Sequence, residues 1–540
     1  MGISDRIDPD RQRCGCRKRC RPARTPRSDR TKSGGKDMRR SGILMHVSSL
    51  PSPYGIGTFG KKAYDFVDFL IETKQTYWQI LPIGPTSYGD SPYQTFSAFA
   101  YNPYFIDLDF LVRDGLLAKD EILSSHSTDR YVDYGKLYEE RFLVLEKAFE
   151  RFDPSDADYA RFLEANSFWL DDYCLFMALK NERKGASWIS WEKPLRMRKE
   201  SALAKARRDL KESIAFHRFL QYIAATQWQT LKAYANGHGV SIIGDMPIYV
   251  SYDSSDVWAN PSLFDLDDEL VPNHIAGVPP DSFSDDGQVW GNPLYDWDLM
   301  AERDYAWWVE RLRSASELFD RVRIDHFIGF QNYFSIEYGA KTAKDGVWHK
   351  GPGIELFRAI KKELGDVDII AEDLGVVTED VKRLREKAGF PGMKLLQFAF
   401  DAREESDYLP HCYTRDTVVY TGTHDNETSK SWLEHLPKRD RKYCLDYINH
   451  TGKNPVDSLI KATLLSVSDT AIIPIQDYLN LGEEGRMNHP STLGNNWRWR
   501  LVESDLTTGV KKKIRYFTEL YGRDPMQRRR RERHDTIDKR

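Results

Sequence analysis

The chain has 540 residues, of which 30% are charged and 40% apolar, and its formal net charge is −4. This near balance of charge excludes a positive field over the whole molecule of the kind that suits nucleic acid. The sequence has no run of about 18 apolar residues, so no membrane-spanning helix is predicted. No apolar signal-peptide core follows Met1, which argues against secretion through a cleaved signal peptide.

Arg-rich segments stand at both ends of the chain, at 11–40 and 528–540. They lack apolar periodicity, so both tails are predicted to be disordered and solvated. A plastid or mitochondrial transit peptide and nonspecific polyanion binding are alternatives, although several aspartates weaken the first. Cys14, Cys16 and Cys20 have no His or fourth Cys at zinc-ligand spacing, and the scattered body cysteines suit free thiols in a reducing cytoplasm.

Eight short apolar runs are predicted strands, and helical periodicity follows most of them. Nearly continuous apolar runs are typical of parallel strands buried on both faces. The alternation favours an α/β fold of the (β/α)₈ TIM barrel type over an open doubly wound sheet. The predicted strands are 42–47, 77–82, 240–246, 319–324, 367–371, 393–400, 417–421 and 471–475, and the predicted helices are 63–73, 305–318, 353–364, 378–387 and 454–465.

Two long segments interrupt this alternation. The first separates strands 2 and 3, is mostly helical, and is predicted to be an insertion subdomain at about 108–235. The second, 251–304, is rich in Pro, Gly, Asn and Asp and is predicted to be an irregular lid region after strand 3. The domain prediction is therefore a basic tail at 1–40, a catalytic barrel at 41–502 that includes both insertions, and a C-terminal helix with a basic tail at 503–540.

Carboxylates fall where four of the predicted strands end. They are Asp245, Asp325, Glu372 with the adjacent Asp373, and Asp425. Because the C-terminal ends of barrel strands meet at one mouth, these side chains are expected to share a cleft. Cleavage of a glycosidic bond with retention needs one attacking carboxylate and a second that serves as acid and then as base.

Basic and aromatic neighbours support this carbohydrate interpretation. Arg323 lies two residues before Asp325, so in a strand both side chains point the same way and the guanidinium would hold a carboxylate. His326 and His424 each adjoin an acid, and the 13% aromatic content suits stacking against sugar rings. Any one of these acids could instead be a helix cap, and clustered acids can also bind a divalent metal. The absence of His-x-His or Glu-x-x-His spacing argues against the metal.

The motifs around these acids resemble those of glycoside hydrolase family 77 in the α-amylase clan, the 4-alpha-glucanotransferases or amylomaltases. The resemblance runs from about residue 41 to 502. It rests on Arg-Ile-Asp-His-Phe at 323–327, Glu-Asp-Leu-Gly at 372–375, Gly-Thr-His-Asp-Asn-Glu at 422–427, Ser-Ser-Leu-Pro-Ser-Pro-Tyr-Gly-Ile-Gly at 48–57, Tyr-Gly-Asp-Ser-Pro-Tyr-Gln at 88–94, Gly-Val-Pro-Pro-Asp at 277–281, Gly-Gln-Val-Trp-Gly-Asn-Pro at 287–293 and Arg-Met-Asn at 486–488.

The resemblance implies that Asp325 is the nucleophile, Glu372 the general acid/base and Asp425 the carboxylate that stabilises an oxocarbenium-like transition state. It implies that 277–292 forms a lid that disfavours water. The implied substrate-binding residues are Arg323, His424, Asp245, Ser91, Tyr93, Asp281, Gln288, Trp290 and Asn488.

The implied reaction passes an α-1,4-glucan segment from a maltooligosaccharide, amylose or glycogen-derived dextrin to the 4-hydroxyl of an acceptor glucan or glucose. No cofactor and no metal are implied, and neither nucleic acid nor a membrane is expected as a partner. An α-glucan hydrolase of the same clan and a noncatalytic glucan-binding barrel are the alternatives. The oligomeric state stays open.

Overall fold

The computed structural model describes residues 39–87, 89–122, 130–280, 284–375 and 377–524. The tail segments 1–38 and 525–540, with Cys14, Cys16 and Cys20, lie outside the described residues, and so does Asp281. What the sequence predicts for them stays a prediction. Within the described ranges, every helix is too short or too polar to cross a lipid bilayer.

The described part of the chain contains twelve strands in two sheets. Their bounds are β1 Arg40–Leu44, β2 Tyr77–Gln79, β3 Ser241–Pro247, β4 His274–Val278, β5 Gln288–Pro293, β6 Arg321–Asp325, β7 Asn332–Glu337, β8 Val347–Lys350, β9 Ile369–Ala371, β10 Gly392–Leu395, β11 Thr417–Tyr420 and β12 Thr470–Pro474.

Eight of these strands form a parallel sheet in the order β10-β11-β12-β1-β2-β3-β6-β9. The backbone N–H of Ala371 at the end of β9 donates to the Pro391 carbonyl just before β10 at 2.9 Å, which brings the two edges together. The predicted TIM barrel is therefore confirmed, and each of the eight predicted strands is present. The predicted strand 393–400 is shorter because Leu396–Ala399 turn into a 3₁₀ helix.

Close packing inside the barrel explains one residue choice beside the site. Gly244 precedes Asp245 in β3, and a Cβ at this position would lie 2.1 Å from the ring of Phe319. Only glycine lets Phe319 approach the strand this closely. Burial on both faces is clear in β12, because all five of its residues are buried.

Helices surround the barrel, and all five predicted helices are present within about two residues of their predicted ends. The bounds are α1 Lys61–Glu72, α2 Leu108–Arg113, α3 Tyr134–Glu150, α4 Ala157–Ala165, α5 Leu170–Glu182, α6 Lys193–Arg196, α7 Glu200–Asp209, α8 Lys211–Gly237, α9 Ser255–Ala259, α10 Trp297–Glu302, α11 Ala306–Leu318, α12 Ile354–Leu364, α13 Glu379–Ala388, α14 Ser429–His435, α15 Lys438–Tyr447, α16 Pro455–Leu465, α17 Ile475–Tyr478 and α18 Thr508–Leu520.

Helices α2 to α8 fill the segment between β2 and β3, and the long helix α8 supports the loop that follows β2. Two buried glutamines on α8 replace missing backbone partners in that loop. Gln221 Oε1 accepts from Tyr101 N at 2.7 Å, and Gln227 Oε1 accepts from Asp107 N at 2.7 Å. Since buried polar groups are costly when unpaired, these bonds stabilise the loop, which carries Tyr93.

The second sheet is antiparallel, in the order β5-β4-β7-β8. It corrects the prediction that 251–304 is irregular, because β4 and β5 lie in that segment. Ile275 and Val289 pack against Phe334 and Ile336, which come from β7 outside the segment. Local composition therefore could not show this small core. The sheet holds Gln288 and Trp290 of β5 beside the barrel mouth.

Candidate active site

Arg323 lies at the centre of a buried charge cluster. Its Nη1 donates to Asp245 at 2.8 Å and 2.7 Å and to Asp325 Oδ1 at 3.0 Å. Burial lowers the pKa of Arg323, but Asp245 and Asp325 outweigh it and raise that pKa well above its usual value. Asp325 keeps 29% of its side chain exposed. It is thus held by a cation on one side and open to the cleft on the other.

Asp245 lies two residues before the end of β3 and is buried beneath this cation. Tyr93 donates its hydroxyl to Asp245 Oδ2 at 2.9 Å, so the carboxylate has two partners. Burial raises the pKa of Asp245, while the charge of Arg323 opposes that shift. Asp245 therefore acts here as a support for Arg323 and Tyr93.

Glu372 lies directly after β9 and next to the Asp325 turn. Its Oε2 accepts from His326 N at 2.6 Å and its Oε1 accepts from Leu374 N at 3.0 Å. His326 takes up a left-handed backbone conformation with φ 52°, which aims its N–H at Glu372. Such strained positions recur at functional sites. Burial and then the charge of Asp325 raise the pKa of Glu372 well above the ordinary carboxyl range, although Arg323 lowers it.

Asp425 is the most open of the three acids, with 44% of its side chain exposed. Asn488 Nδ2 donates to Asp425 Oδ1 at 2.7 Å, and His424 Nε2 lies 3.3 Å from Oδ2. Desolvation raises the pKa of Asp425, but His424 and Asn488 outweigh it and hold the pKa at about 2. The environments of Asp425 and Glu372 therefore drive their pKa values in opposite directions, as acid/base chemistry requires.

Aromatic rings form one wall of the same mouth. Tyr93 stacks on His424 with 5.1 Å between ring centroids, and Trp497 packs against both rings at 5.7 Å and 5.8 Å. Ser91 holds the turn that presents Tyr93, because its Oγ accepts from Tyr93 N at 3.2 Å. Trp497 has no strand-end position and no acidic neighbour, so no sequence signal pointed to it.

The antiparallel sheet supplies a second wall. Trp290 meets the His326 ring edge-on at 4.8 Å, and its Nε1 donates to Gln288 Oε1 at 3.1 Å. Gln94 donates to Asn292 Oδ1 at 2.9 Å and so ties this wall to the Tyr93 loop. Gln94 belongs to the same motif as Ser91 and Tyr93, but the motif alone does not predict this contact.

Two further polar residues at strand ends have structural contacts. Asp373 accepts from Met393 N at 2.7 Å and pairs with Arg385 at 3.2 Å, so it fastens β9 to β10 and α13. His46, two residues past the end of β1, accepts from Leu81 N at 3.3 Å through Nδ1, and burial lowers its pKa to about 3. Strand-end placement alone could have suggested His46.

The structure thus brings together Asp245, Arg323, Asp325, Glu372, His424, Asp425, Tyr93 and Asn488, while Gln288 and Trp290 line the cleft beside His326. The set offers a held carboxylate, a carboxyl group with a raised pKa, an ionised third acid and an aromatic wall. Among the residues that the structure describes, no group of three or more His, Cys, Asp and Glu side chains is arranged to hold a metal ion.

Comparison with known proteins gives a concordant result. The model of glycoside hydrolase family 77, described as 4-alpha-glucanotransferase, matches residues 45–505. The 4-alpha-glucanotransferase of Clostridium butyricum is 48% identical over 485 residues, which cover 89% of this chain and 100% of the relative. That of Streptococcus pneumoniae is 50% identical over 492 residues, covering 90% and 97% respectively.

Solved structures agree with this match. An amylomaltase from Streptococcus agalactiae, in complex with acarbose, has a TM-score of 0.88 and 45% identity, covering 90% of this chain and 99% of that one. The amylomaltase of Corynebacterium glutamicum has a TM-score of 0.70 at 18% identity, covering 89% and 75%, and so supports the fold alone.

Proposed function

Because the chain belongs to glycoside hydrolase family 77 and is a 4-alpha-glucanotransferase (EC 2.4.1.25), we propose that Asp325, Glu372 and Asp425 carry its reaction. In this proposal an α-1,4-glucan segment leaves a donor, rests on Asp325, and joins the 4-hydroxyl of an acceptor glucan or glucose with retention. The single observation that carries the proposal is the convergence of these three acids around Arg323 at one mouth of the barrel.

In the first half-reaction, a carboxylate oxygen of Asp325 attacks the anomeric carbon of the donor. The bond from that carbon to the glycosidic oxygen breaks, and Glu372 gives its proton to the departing oxygen. The raised pKa of Glu372 supports its role as the proton donor. The ion pair with Arg323 supports the attacking role of Asp325, because it holds the carboxylate in place while part of the side chain stays open to the cleft.

In the second half-reaction, Glu372 acts as a carboxylate base. It takes the proton from the acceptor 4-hydroxyl, whose oxygen attacks the anomeric carbon and displaces Asp325. Two displacements at one carbon restore the original anomeric configuration, and Glu372 returns to its protonated state.

Asp425 is proposed to grip hydroxyls of the distorted sugar while positive charge develops on the ring. The hydrogen bond from Asn488 occupies Oδ1, so Oδ2 beside His424 remains the oxygen best placed for the sugar. Charge-assisted hydrogen bonds of this kind stabilise a transition state more strongly in a partly dry cleft than in water.

The two walls are proposed to separate donor from acceptor. Tyr93 offers an aromatic face on the donor side, where Ser91 and Asp245 hold it. Gln288 and Trp290 are proposed to line the acceptor side, with 277–292 as a lid that disfavours water and Asp281 as a substrate contact. The acceptor must compete with water at about 55 M, so solvent exclusion by such a lid would matter.

The proposed partners are maltooligosaccharides, amylose, glycogen-derived dextrins and glucose. The acarbose complex of the Streptococcus agalactiae amylomaltase supports a carbohydrate ligand for this cleft.

A reducing compartment such as the cytoplasm is proposed as the place of action, supported by the free thiols of Cys174, Cys412 and Cys444. We also propose the domain organisation predicted from the sequence, with a barrel at 41–502 that includes two insertions and is flanked by basic tails.

Incubation of the purified protein with maltotriose tests the proposal. A ladder of longer maltooligosaccharides with release of glucose is expected, and product analysis by NMR should show only α-linkages. Asp325→Asn should abolish the ladder, since an amide cannot form the glucosyl intermediate. Maltose and glucose without longer products would indicate hydrolysis, and a fully active Asp325→Asn variant would exclude the assigned nucleophile.

A further inference from the structure

A compact group of charged side chains lies behind Asp425, outside the contacts described so far. Glu427 and Glu483 point at one hydroxyl, because Ser431 Oγ lies 2.9 Å from Glu427 Oε2 and 3.0 Å from Glu483 Oε2. Two carboxylates held this close repel each other unless cations compensate them. Their position therefore calls for a nearby positive charge.

Arg486 provides that charge, and its side chain is 15% exposed. Its Nη1 lies 3.8 Å from Glu427 Oε1 and 3.7 Å from Glu483 Oε1. His435 Nδ1 lies 2.8 Å from Glu427 Oε2, and His489 Nε2 lies 3.1 Å from Glu483 Oε1. Each histidine thus contacts one carboxylate, whereas Arg486 lies beside both.

The other end of the same guanidinium reaches the active site. Arg486 Nε donates to the backbone carbonyl of Asn488 at 2.9 Å, and Asn488 Nδ2 donates to Asp425 Oδ1 at 2.7 Å. Asp425, Glu427 and Ser431 follow β11, whereas Glu483, Arg486 and Asn488 follow β12 and α17. Arg486 therefore lies where these two barrel loops meet.

We propose that Arg486 is a positioning residue for the reaction, which holds Asn488 in place for Asp425 while it keeps Glu427 and Glu483 together. The inference rests on the proposed role of Asp425. In the absence of the guanidinium, the two carboxylates repel and the Asn488 carbonyl loses its donor, so the loop after α17 moves away from Asp425. Because Asp425 is proposed to act on the charged transition state, replacement of Arg486 should change kcat more than KM.

The test compares Arg486→Gln and Arg486→Lys with Arg515→Gln, a matched change of an exposed arginine on α18 that pairs with Glu519. Disproportionation of maltotriose is measured with thermal unfolding alongside. We expect Arg486→Gln to lower kcat by about tenfold or more, the worth of one charge-assisted hydrogen bond, with KM changed less. Arg486→Lys should fall between, because an ammonium cannot serve both ends as a planar guanidinium does. Arg515→Gln should behave as wild type.

A second substitution separates repulsion from general damage. Glu427→Gln in the Arg486→Gln background removes one of the two opposing charges, so kcat should recover by several-fold. A wild-type kcat in Arg486→Gln overturns the inference, and so does a loss that Glu427→Gln leaves unimproved. If Arg486→Gln does not fold, Arg486→Lys decides, and a wild-type kcat there overturns the inference too.

Asp425→Asn distinguishes the two proposals. An active Asp425→Asn refutes the proposed role of Asp425, whereas an inactive one beside a normal Arg486→Gln refutes only the role of Arg486.

Discussion

Nη1 of Arg323 lies 3.0 Å from Oδ1 of Asp325, and Arg323 is itself buried under the barrel mouth. The same nitrogen also contacts both oxygens of Asp245, at 2.8 Å and 2.7 Å. One cation is thus shared by two acids, and Asp245 is the more buried of them. Asp245 balances a charge that would otherwise be costly to bury, and Asp325 is left open to substrate.

This geometry predicts a large effect of substitutions at Arg323. Arg323→Gln leaves Asp245 buried without its cation and Asp325 without a partner, so kcat/KM for maltotriose should fall by about a hundredfold or more. Arg323→Lys keeps the charge on a single flexible nitrogen and should recover only part of the activity.

Steady-state kinetics of both variants check this expectation, with circular dichroism as a control for folding. Arg321→Gln is a useful comparison, because Arg321 begins the same strand and pairs with Asp368 at the opposite end of the barrel. Equal losses in Arg321→Gln and Arg323→Gln would indicate damage to the barrel and not to the site.

Much of this site could be predicted from strand-end placement. Asp245 and Arg323 lie within two residues of a strand's end, Asp325 ends a strand and Asp425 follows one, and parallel barrel strands carry such residues to one mouth. The same rule also pointed to Asp373, which proves to brace β10 and α13, since the strand pattern does not reveal which way an adjacent side chain turns.

Residues that depend on tertiary contacts could not be predicted in this way. Trp497 and Arg486 lie on a loop without regular periodicity and reach the site only because β11 and β12 are neighbours. The second sheet cannot be predicted from local sequence for a similar reason. Its β8 strand is exposed at all four residues and has no alternating pattern, and the apolar partners of β4 lie some 60 residues further along the chain, in β7.

The raised pKa of Glu372 predicts a fall of kcat/KM on the alkaline side of the pH profile. In the proposed mechanism Glu372 is protonated when it donates to the leaving oxygen, so activity should fall as pH rises through its raised pKa. Asp425 stays ionised throughout, since its pKa is held at about 2. The alkaline limb should therefore lie above the ordinary carboxyl range. A flat profile between about pH 4 and about pH 9 would count against the assigned acid/base.

The same shift predicts that the site costs the protein stability. The folded-state pKa of Glu372 is higher than its unfolded value, so the native state binds more protons across that window. The stability that protonated Glu372 contributes is thus fully present below its unfolded pKa and is lost as pH rises through its folded pKa. Glu372→Gln removes this pH dependence, so the free energy of unfolding of the variant relative to wild type should rise by about 1 kcal/mol or more from acid to alkaline pH.

Thermal unfolding of wild type and Glu372→Gln at acid and alkaline pH measures the difference. The gap should widen as pH rises, and the variant should be inactive throughout. Glu317→Gln on α11 serves as a comparison, because desolvation also raises the pKa of the Glu317 carboxyl but this residue lies on a barrel helix. An equal gap at both pH values would contradict the assignment of the raised pKa to Glu372.

Trp290 is predicted to favour transfer over hydrolysis. Its indole lies edge-on to His326 at 4.8 Å and is held by Gln288 at 3.1 Å, so it forms a fixed wall beside the turn that follows Asp325. Trp290→Ala would open this wall to solvent and remove a stacking surface for the acceptor sugar. The ratio of hydrolysis to transfer should then rise several-fold. The rate of donor cleavage should fall less than the rate of transfer.

Counting reducing ends against longer products from maltotriose measures that ratio. Trp348→Ala provides the matched control, because Trp348 stands on β8 at the far edge of the same sheet and is 46% exposed. Its loss should leave the ratio as in wild type. If Trp290→Ala keeps the wild-type ratio, water is excluded by other parts of the cleft, and the acceptor role of Trp290 is wrong. If both variants shift the ratio equally, the sheet as a whole sets the wall's position and the single indole does not.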